Sequence, residues 1–207
     1  QYIYISLFLS LAYIFIMLRY LINWKSIPIW EIPTSFSPQT KITILIPARN
    51  EAKNIRACIQ SILNQNFPSH LFEIIVIDDH SEDETATIVQ QFQALNIRVL
   101  FLKDFIKNRN ELQSFKKKAI EIGIENSTGD LIISTDADCI VPPKWLNYLV
   151  SFYEKSANRT GGEKYKFIAA PVNFYEEKSL FEKFQSLDFI GMMGVTGAGI
   201  HGRFMNM

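Results

Sequence analysis

Four short apolar runs, separated by segments with helical periodicity, constrain the fold of this chain more than any other feature. The runs are KITILIP (41–47), FEIIVID (72–78), IRVLFL (97–102) and DLIIST (130–135). Short and continuously apolar runs of this kind are typical of strands that are buried on both faces. Their alternation with helical segments predicts right-handed crossovers and an α/β fold, in which a mainly parallel sheet carries helices on both faces.

The connections between the runs carry the predicted helices. Asn50 and Ser81 are candidate N-caps for the helices that follow the first two runs. Residues 112–125 predict another helix. A proline at 142 or 143 opens a last helix through Tyr153, because a proline in the first turn loses no helical hydrogen bond.

The N-terminal segment predicts a membrane anchor over residues 1–24. From Tyr2 to Ile22 the chain is almost wholly apolar, and about 20 helical residues span about 30 Å, the thickness of a bilayer core. Tyr20 and Trp24 suit the membrane interface. The basic residues Arg19 and Lys25 lie at the end of the segment, so the positive-inside rule places the rest of the chain in the cytoplasm.

Three further regions follow the anchor. Residues 25–40 are rich in proline, serine and threonine and predict a linker, and residues 41–176 hold the sheet domain. Residues 177–207 begin with an amphipathic helical pattern. They continue into the glycine-rich GMMGVTGAGIHG (191–202), for which we expect a mobile or interfacial loop because it lacks the pattern of a phosphate-binding loop.

Charge and cysteine content narrow the functional class. Lysine and arginine together number 21, as do aspartate and glutamate, so the sequence has no basic footprint for nucleic acid. The two cysteines, Cys58 and Cys139, are far apart and have no zinc spacing. We expect both to be reduced, buried thiols, as in a cytosolic protein.

Polar clusters follow three of the apolar runs at the point where each ends. They are Arg49-Asn50-Glu51, Asp78-Asp79-His80 and Asp136-Ala137-Asp138. Parallel sheets bind ligands outside the carboxyl ends of their strands. The sequence therefore predicts a binding site where these clusters converge at one sheet edge.

Each cluster taken alone also has a simpler interpretation. Asp136 and Asp138 are spaced to hold a hard divalent cation such as Mg²⁺ or Mn²⁺, but two aspartates also suit a solvated turn. Asp78 and Asp79 are either turn residues or acceptors for a nucleobase N–H and ribose hydroxyls. The lysines at 116–118 are interpreted mainly as a solvated helix face, with one of them as a candidate contact to phosphate.

The segments that carry these clusters occur in the same order as the motifs of a known enzyme family. The segments ILIPARNEAKNI, EIIVIDDHSEDET, KKKAIEIGIENSTGDLIISTDADC and VPPKWL resemble the family 2 glycosyltransferases, from about Lys41 to about Phe152. The resemblance implies the GT-A fold, a Rossmann-type parallel sheet. It also implies a nucleotide-diphosphate sugar donor, with a UDP-sugar as first candidate, a divalent cation and inversion at the anomeric carbon. The apolar anchor looks like that of the bacterial inner-membrane members.

The resemblance also implies roles for individual residues. Asp79 would meet the base edge, with Asp78 as the alternate, and Lys116 occupies the position of the family's lysine before its Ala-Leu-Asn helix. Asp136 and Asp138 would be the D-x-D pair that binds metal, ribose and diphosphate. The complete set implied for the donor site is Pro47, Ala48, Arg49, Glu51, Asp78, Asp79, Lys116, Asp136, Ala137 and Asp138.

The acceptor side of the reaction is not visible in the sequence. An inverting transfer needs a general base, and the family's acidic base and Q-x-x-R-W element do not occur here. Asp188 is the only aspartate after Asp138, and we do not assign it as the base. We therefore expect a truncated chain whose base lies downstream of residue 207 and whose residues 177–207 begin an incomplete acceptor region.

The whole enzyme would act in the synthesis of a cell-envelope polysaccharide or a glycolipid. Two other functions stay open. One is a nucleotide-sugar-binding module or inactive fragment without catalysis. The other is a sugar nucleotidyltransferase, although the loop PARNEAKN after the first run lacks the glycines expected of that class.

Overall fold

A computed structural model describes residues 2–92, 96–106, 114–156 and 165–204. The chain divides into two compact units. One consists of Glu31–Lys166 and contains the sheet, and the other consists of Gln1–Trp30 together with Phe167–Met207.

The sheet of the first unit has four parallel strands in the order β3-β2-β1-β4. Ile42 of β1 lies opposite Phe72 of β2 and Leu131 of β4, and Ala48 at the end of β1 lies opposite Asp78. The predicted parallel sheet is confirmed. The strands are β1 (Ile42–Ala48), β2 (Phe72–Asp78), β3 (Ile97–Phe101) and β4 (Leu131–Ser134).

Helices cover both faces of this sheet, as predicted. They are α2 (Ile55–Leu63), α3 (Thr85–Gln90), α4 (Phe115–Glu125) and α5 (Trp145–Ser156). The first residues of the predicted helix 112–125 lie outside the described residues.

The predicted caps are wrong for α2 and α3. Asn54 and Glu84, not Asn50 and Ser81, precede these helices, and neither makes a side-chain cap hydrogen bond. The side chains of Asn50 and Ser81 instead join the two loops to each other. A tertiary contact between the loops therefore replaces the local capping that the sequence pattern favours.

The period of two along each strand sorts the core into two clusters. Ile44 and Ile46 point to the face that packs against α2 and α5, through side chains such as Ile59 and Leu146. Leu45 points to the other face. There it joins Ile75, Ile77, Leu102, Ala119 and Ile122, which include the inner side of α4. Burial on both faces explains why the strands read as unbroken apolar runs.

A polar network closes the edge of the sheet where the strands begin. Glu73 Oε1 accepts hydrogen bonds from the Thr43 hydroxyl at 2.7 Å and from the backbone N–H of Thr128 at 2.7 Å. Arg98 Nη2 lies 3.2 Å from Glu73 Oε2. Partial burial alone would raise the pKa of Glu73, but these hydrogen bonds and the guanidinium outweigh it and hold the pKa below its ordinary value.

The second unit contains two long helices, α1 (Tyr2–Ser26) and α6 (Leu180–His201). Helix α1 is long and apolar enough to cross a membrane, and none of its side chains is buried. It is the one helix of that kind in the part of the chain that the structure describes. The apolar surface of α1 would be stable in contact with lipid.

The glycine-rich segment 191–202 is not a loop, contrary to the prediction, because α6 continues through it to His201. The segment packs on α1 of the same unit, where a Cβ added at Gly197 would lie in ordinary van der Waals contact, 3.4 Å from the Trp24 indole. Packing of α6 on α1 thus offsets the low helix propensity of glycine, which decides a prediction made from local sequence alone.

Gly129 generates the first prediction, because the loop before β4 passes close to β1. A Cβ at this position would lie 2.5 Å from the Ile42 carbonyl carbon and 2.5 Å from the Thr43 nitrogen. We expect Gly129→Ala to lower the free energy of unfolding by about 1–3 kcal/mol, since the backbone must shift to admit the methyl group. Urea unfolding of the chain in detergent micelles, followed by circular dichroism, measures the change.

Gly191→Ala is the matched control for this substitution. No described atom lies within 4 Å of a Cβ added there, and alanine is the better helix former, so stability should stay equal or rise. An unchanged unfolding midpoint for Gly129→Ala would contradict the close packing of this loop on β1.

Glu73 generates a prediction about pH. Because its folded-state pKa is lowered, its contribution to stability is present above the unfolded pKa and is lost as pH falls through the folded pKa. We expect Glu73→Gln to lower the melting temperature at pH 7 and to differ progressively less from the parent as the solution is acidified below about pH 4. Thermal unfolding over a pH series measures the difference. The control is Glu125→Gln at an exposed glutamate, and a Glu73→Gln deficit that does not shrink with acid would contradict the assignment.

Candidate functional site

A cavity of about 240 Å³ opens at the carboxyl edge of the sheet. The ends of β1, β2 and β4 reach it, and the first turns of α4 form one wall. It is lined by Pro47, Ala48, Arg49, Glu51, Asp79, Lys116, Ala119, Asp136, Ala137 and Asp138.

The three polar clusters therefore meet in space, although 20 or more residues separate them in sequence. Every residue that the sequence suggests for the site lines the cavity except Asp78, and Ala119 is added. Ala119 follows Lys116 by one helical turn, so both residues lie on the same side of α4. The parallel register makes this convergence possible, because it ends neighbouring strands at the same edge.

The loop after β1 is held by the loop after β2. Asn50 takes a left-handed backbone conformation with φ of 56°, which asparagine tolerates better than most residues. Its N–H donates to Ser81 Oγ at 3.0 Å, and its side-chain oxygen accepts from the N–H of Glu82 at 2.8 Å. The N–H of Glu51 donates to Thr85 Oγ1 at 2.8 Å. These contacts set the backbone that carries Arg49 and Glu51 at the cavity wall.

Asp83 joins the same pair of loops, and sequence reasoning missed it. Its carboxylate accepts from the N–H of Ala52 at 3.0 Å and from the N–H of Thr85 at 3.0 Å, as well as from the Thr85 hydroxyl. The hydrogen bond from the Thr85 hydroxyl is the main reason that the pKa of Asp83 lies below its ordinary value. A carboxylate two residues before a helix was the available signal, since aspartate often accepts from nearby backbone N–H groups there.

The two aspartates at the end of β2 differ in environment. The N–H of Asp79 donates to the Ala48 carbonyl at 2.8 Å, which extends the β1–β2 pairing to the cavity rim. Asp79 Oδ1 lies 2.9 Å from His80 Nδ1. Both side chains are buried, but Asp79 lines the cavity and Asp78 does not, and Asp78 Oδ1 has no hydrogen-bond partner among the described residues. A buried acceptor without a partner is costly unless a donor arrives.

His80 is another residue whose role the sequence did not reveal. It is neither at a helix start nor part of a metal cluster within the described ranges. Its ring packs edge-to-face against Phe115, with 6.2 Å between centroids, while its Nδ1 contacts Asp79. Its position therefore links the end of β2 to the start of α4, next to Lys116.

The segment Asp136-Ala137-Asp138 forms a turn directly after β4. The N–H of Cys139 donates to the Asp136 carbonyl at 3.2 Å, which closes the turn. Ala137 points into the core and is 3% exposed, whereas Asp136 and Asp138 are exposed at the cavity. The two sequence interpretations of this pair, a solvated turn and a pair of metal ligands, are therefore compatible. The segment is a turn, and that turn presents both carboxylates to one cavity.

The two cysteines support this turn and are not joined by a disulfide. The buried Cys58 thiol of α2 lies 3.6 Å from the Asp136 carbonyl oxygen, to which it donates. Burial, together with the nearby Cys139 and Asp138, raises the pKa of Cys58 to about 12, so it remains a neutral thiol donor. Cys139 is only partly buried, contrary to the prediction, because it follows the turn at the rim.

Among the described residues, Lys116 makes the one ion pair between a lysine or arginine and a carboxylate of the cavity wall. Its Nζ lies 2.7 Å from Asp136 Oδ1, and both side chains remain more than half exposed. Of the residues that the structure describes, the cavity wall carries four carboxylates, of Glu51, Asp79, Asp136 and Asp138, and two cationic side chains, of Arg49 and Lys116. The site is therefore acidic on balance.

The side chains of the cavity supply only part of the coordination shell of a hard divalent cation. Asp136 and Asp138 supply carboxylate oxygens, the ligand type that Mg²⁺ and Mn²⁺ prefer. The described residues contain no group of three or more acidic, histidine or cysteine side chains that could enclose a metal. A cation bound here would therefore complete its coordination with water or with oxygens of a ligand such as a diphosphate.

The chain is similar in sequence to known glycosyltransferases. The chain is 32% identical over 155 residues to "Probable glycosyltransferase YdaM" of Bacillus subtilis, covering 69% of this chain and 36% of that protein. It is 30% identical over 120 residues to the human "Dolichyl-phosphate beta-glucosyltransferase", covering 53% of this chain and 33% of that protein. The chain thus spans about a third of the length of the curated relatives that it matches.

A solved structure shares the fold. It is the mannosyltransferase PcManGT from Pyrobaculum calidifontis, determined in complex with GDP-Man and Mn²⁺. The TM-score is 0.56 at 24% identity, and the match covers 71% of this chain and 42% of that one.

The family assignment rests on the sequence profile described as "Glycosyl transferase family 2". It matches residues 43–204, a range that begins at the second residue of β1 and includes the other three strands and the whole cavity wall. The chain therefore belongs to glycosyl transferase family 2.

Proposed function

We propose that this chain is the donor-binding part of a membrane-anchored, inverting glycosyltransferase. The whole protein transfers a sugar from a nucleotide-diphosphate sugar to an acceptor in the synthesis of a cell-envelope polysaccharide or a glycolipid. The observation that carries this proposal is one cavity at the carboxyl edge of the sheet. Asp79 from the end of β2, the Asp136–Asp138 turn after β4 and Lys116 from α4 all line it.

The charge of the cavity supports a diphosphate that arrives with a divalent cation. A diphosphate alone would be repelled by four carboxylates, whereas a cation held by Asp136 and Asp138 attracts its oxygens. When bound, Mg²⁺ or Mn²⁺ neutralises charge on the leaving diphosphate as a Lewis acid. The cavity volume of about 240 Å³ is slightly below the range for sites that enclose a whole drug-sized ligand. In this proposal the cavity therefore holds only part of the donor: the cation-bound diphosphate lies in it, and the nucleoside lies along one wall.

The nucleoside is assigned to the wall formed by the loops after β1 and β2. Asp79 lies at the rim and offers a carboxylate to an N–H on the base edge or to ribose hydroxyls. Pro47, Ala48, Arg49 and Glu51 complete this wall. A carboxylate acceptor favours a base that carries an N–H on its pairing edge, which fits both uracil and guanine, and of these we propose a UDP-sugar as the first donor to test.

In the proposed reaction, an acceptor hydroxyl attacks the anomeric carbon as the bond from that carbon to the diphosphate oxygen breaks. The acceptor proton passes to a general base, and attack opposite the leaving group inverts the anomeric centre. Every carboxylate of the described cavity already has a place in donor binding, so the base is not assigned to any of them. A lipid-linked acceptor fits the membrane-spanning character of α1, and one relative is named for action on dolichyl phosphate.

Helix α1 supports the proposed location. Arg19 and Lys25 lie toward its C-terminal end, so the positive-inside rule orients that end toward the cytoplasm. Nucleotide sugars are cytoplasmic substrates in this proposal, and the sheet unit follows α1 on that side. We propose the bacterial inner membrane as the site of action.

Loss of a carboxylate from the turn tests the donor site. We expect Asp138→Asn to weaken Mn²⁺-dependent UDP binding by at least about tenfold, because one of two anionic metal ligands is lost. Isothermal titration of the chain in detergent micelles, with and without Mn²⁺, measures the change.

The control for this variant is Asp130→Asn, which makes the same chemical change at an exposed aspartate before β4. If Asp138→Asn binds Mn²⁺ and UDP as tightly as the parent, the site is misassigned. Tight, metal-dependent binding with neither donor hydrolysis nor sugar transfer, even in a longer form of the protein, would favour a binding module without catalysis.

The nucleoside contact has a separate test that compares the two adjacent aspartates. We expect Asp79→Asn to weaken UDP binding by about tenfold while Mn²⁺-dependent pyrophosphate binding stays unchanged, because only the nucleoside contact is altered. Asp78→Asn should have the smaller effect, since Asp78 does not line the cavity. The reverse order would move the base contact to Asp78, whose buried Oδ1 lacks a partner in the described structure. Circular dichroism of both variants separates loss of binding from loss of folding.

A further inference from the structure

The ion pair between Lys116 and Asp136 raises a question about how a metal enters the cavity. Lys116 Nζ lies 2.7 Å from Asp136 Oδ1, which is one of the oxygens proposed to hold a divalent cation. An ammonium group and a metal ion cannot occupy the same side of one carboxylate oxygen. A cation that binds this oxygen from the same side therefore has to displace Lys116 from it.

The structure indicates which partner moves. The backbone of Asp136 is held by the N–H of Cys139 and the thiol of Cys58, both of which donate to its carbonyl oxygen. Lys116 is on the first turn of α4, and its Nζ stands at the end of a flexible four-carbon stem that is 62% exposed. Rotation of the lysine side chain costs less than displacement of the turn.

The exposure of the pair also limits its strength. Exposed ion pairs change an equilibrium by at most about fivefold, because water screens them. Lys116 therefore hinders binding of a metal at Asp136 without blocking it. A nucleotide diphosphate offers the displaced ammonium a new anionic partner in the same cavity, and a lysine is a good point charge for phosphate.

We propose that Lys116 is an exchangeable counter-cation that couples metal binding to donor binding. In the free protein it neutralises Asp136 and disfavours the metal alone. When a cation and a nucleotide diphosphate enter together, the cation takes the Asp136 oxygen and Lys116 moves to a phosphate oxygen. The exchange is one of ion pairs only, and no covalent bond changes. This inference rests on the proposed donor site and adds to it a coupling between the affinity for the metal and the affinity for the donor.

Lys116→Met tests the exchange because it should move two affinities in opposite directions. We expect Mn²⁺ alone to bind about two- to fivefold more tightly, since a competing charge is removed. We expect UDP at saturating Mn²⁺ to bind about tenfold more weakly, since a charge-assisted hydrogen bond to phosphate is lost. Electron paramagnetic resonance of free Mn²⁺ measures the first affinity, and isothermal titration of the full chain in detergent micelles measures the second.

Two further variants separate exchange from a structural role of the lysine. Lys117→Met removes the neighbouring exposed charge, which does not line the cavity, and should change neither affinity. Lys116→Arg keeps the charge and should stay near the parent in both measurements. In an Asp136→Asn background, Lys116→Met should no longer tighten Mn²⁺ binding, because the carboxylate for which the two cations compete is gone.

The results distinguish this inference from the proposed function. If the parent binds UDP in a Mn²⁺-dependent way but Lys116→Met leaves the affinity for Mn²⁺ alone unchanged or weaker, the exchange is overturned and the donor site stands. If neither the parent nor any variant binds Mn²⁺ or UDP, both are overturned. A tighter metal affinity in Lys116→Met that persists in the Asp136→Asn background also overturns the exchange.

Discussion

The parallel pairing of β1 with both β2 and β4 is the constraint on which the rest of this protein depends. Three side chains in the middle of β1, Ile44, Leu45 and Ile46, are fully buried, and they alternate between the two core clusters. Because the strands run in the same direction, their carboxyl ends meet at one edge. The pairing even extends past the strands, through the Asp79 N–H to Ala48 and the Thr135 N–H to Leu45.

The chemistry of the site follows from what this edge brings together. Carboxylates from separate connections share one cavity, and without a ligand only one of them has a lysine partner in the described structure. Like charges held this close make a cation favourable, whether an ammonium group or a metal ion. The scaffold beneath is neutral and hydrogen-bonded, as with the Cys58 thiol under the Asp136 turn. The exposed carboxylates therefore give the cavity its negative charge, while uncharged groups beneath them, such as the Cys58 thiol, stabilise the backbone of the turn.

Sequence reasoning performed best where a pattern repeats over several residues. The parallel sheet was predicted from the unbroken apolar runs, and the placement of Arg49, Asp79 and Asp136 followed from the end of each run. It failed where a side chain could bind either a local or a distant partner and the distant one was found in the structure. Asn50 and Ser81 read as helix caps, yet each binds the other loop, and the residues at 191–202 read as a loop, yet they form a helix packed near Trp24. Local propensity is worth about 1 kcal/mol or less at such positions, so a tertiary contact readily reverses it.

The sequence by itself determined the class of fold, the apolar N-terminal helix, and the residue types available at the ends of the strands. These depend on periodicity and composition, which need no knowledge of distant contacts. Only the tertiary structure decided which carboxylate has which neighbour. In the structure Asp79 lines the cavity and Asp78 does not. Asp83 binds the loop after β1 to the loop after β2, and Lys116 forms an ion pair with Asp136. Pairings of this kind arise from the packing of α4 and the loops on the finished sheet, because a hydrogen bond or ion pair depends on distance in space and not on separation along the chain.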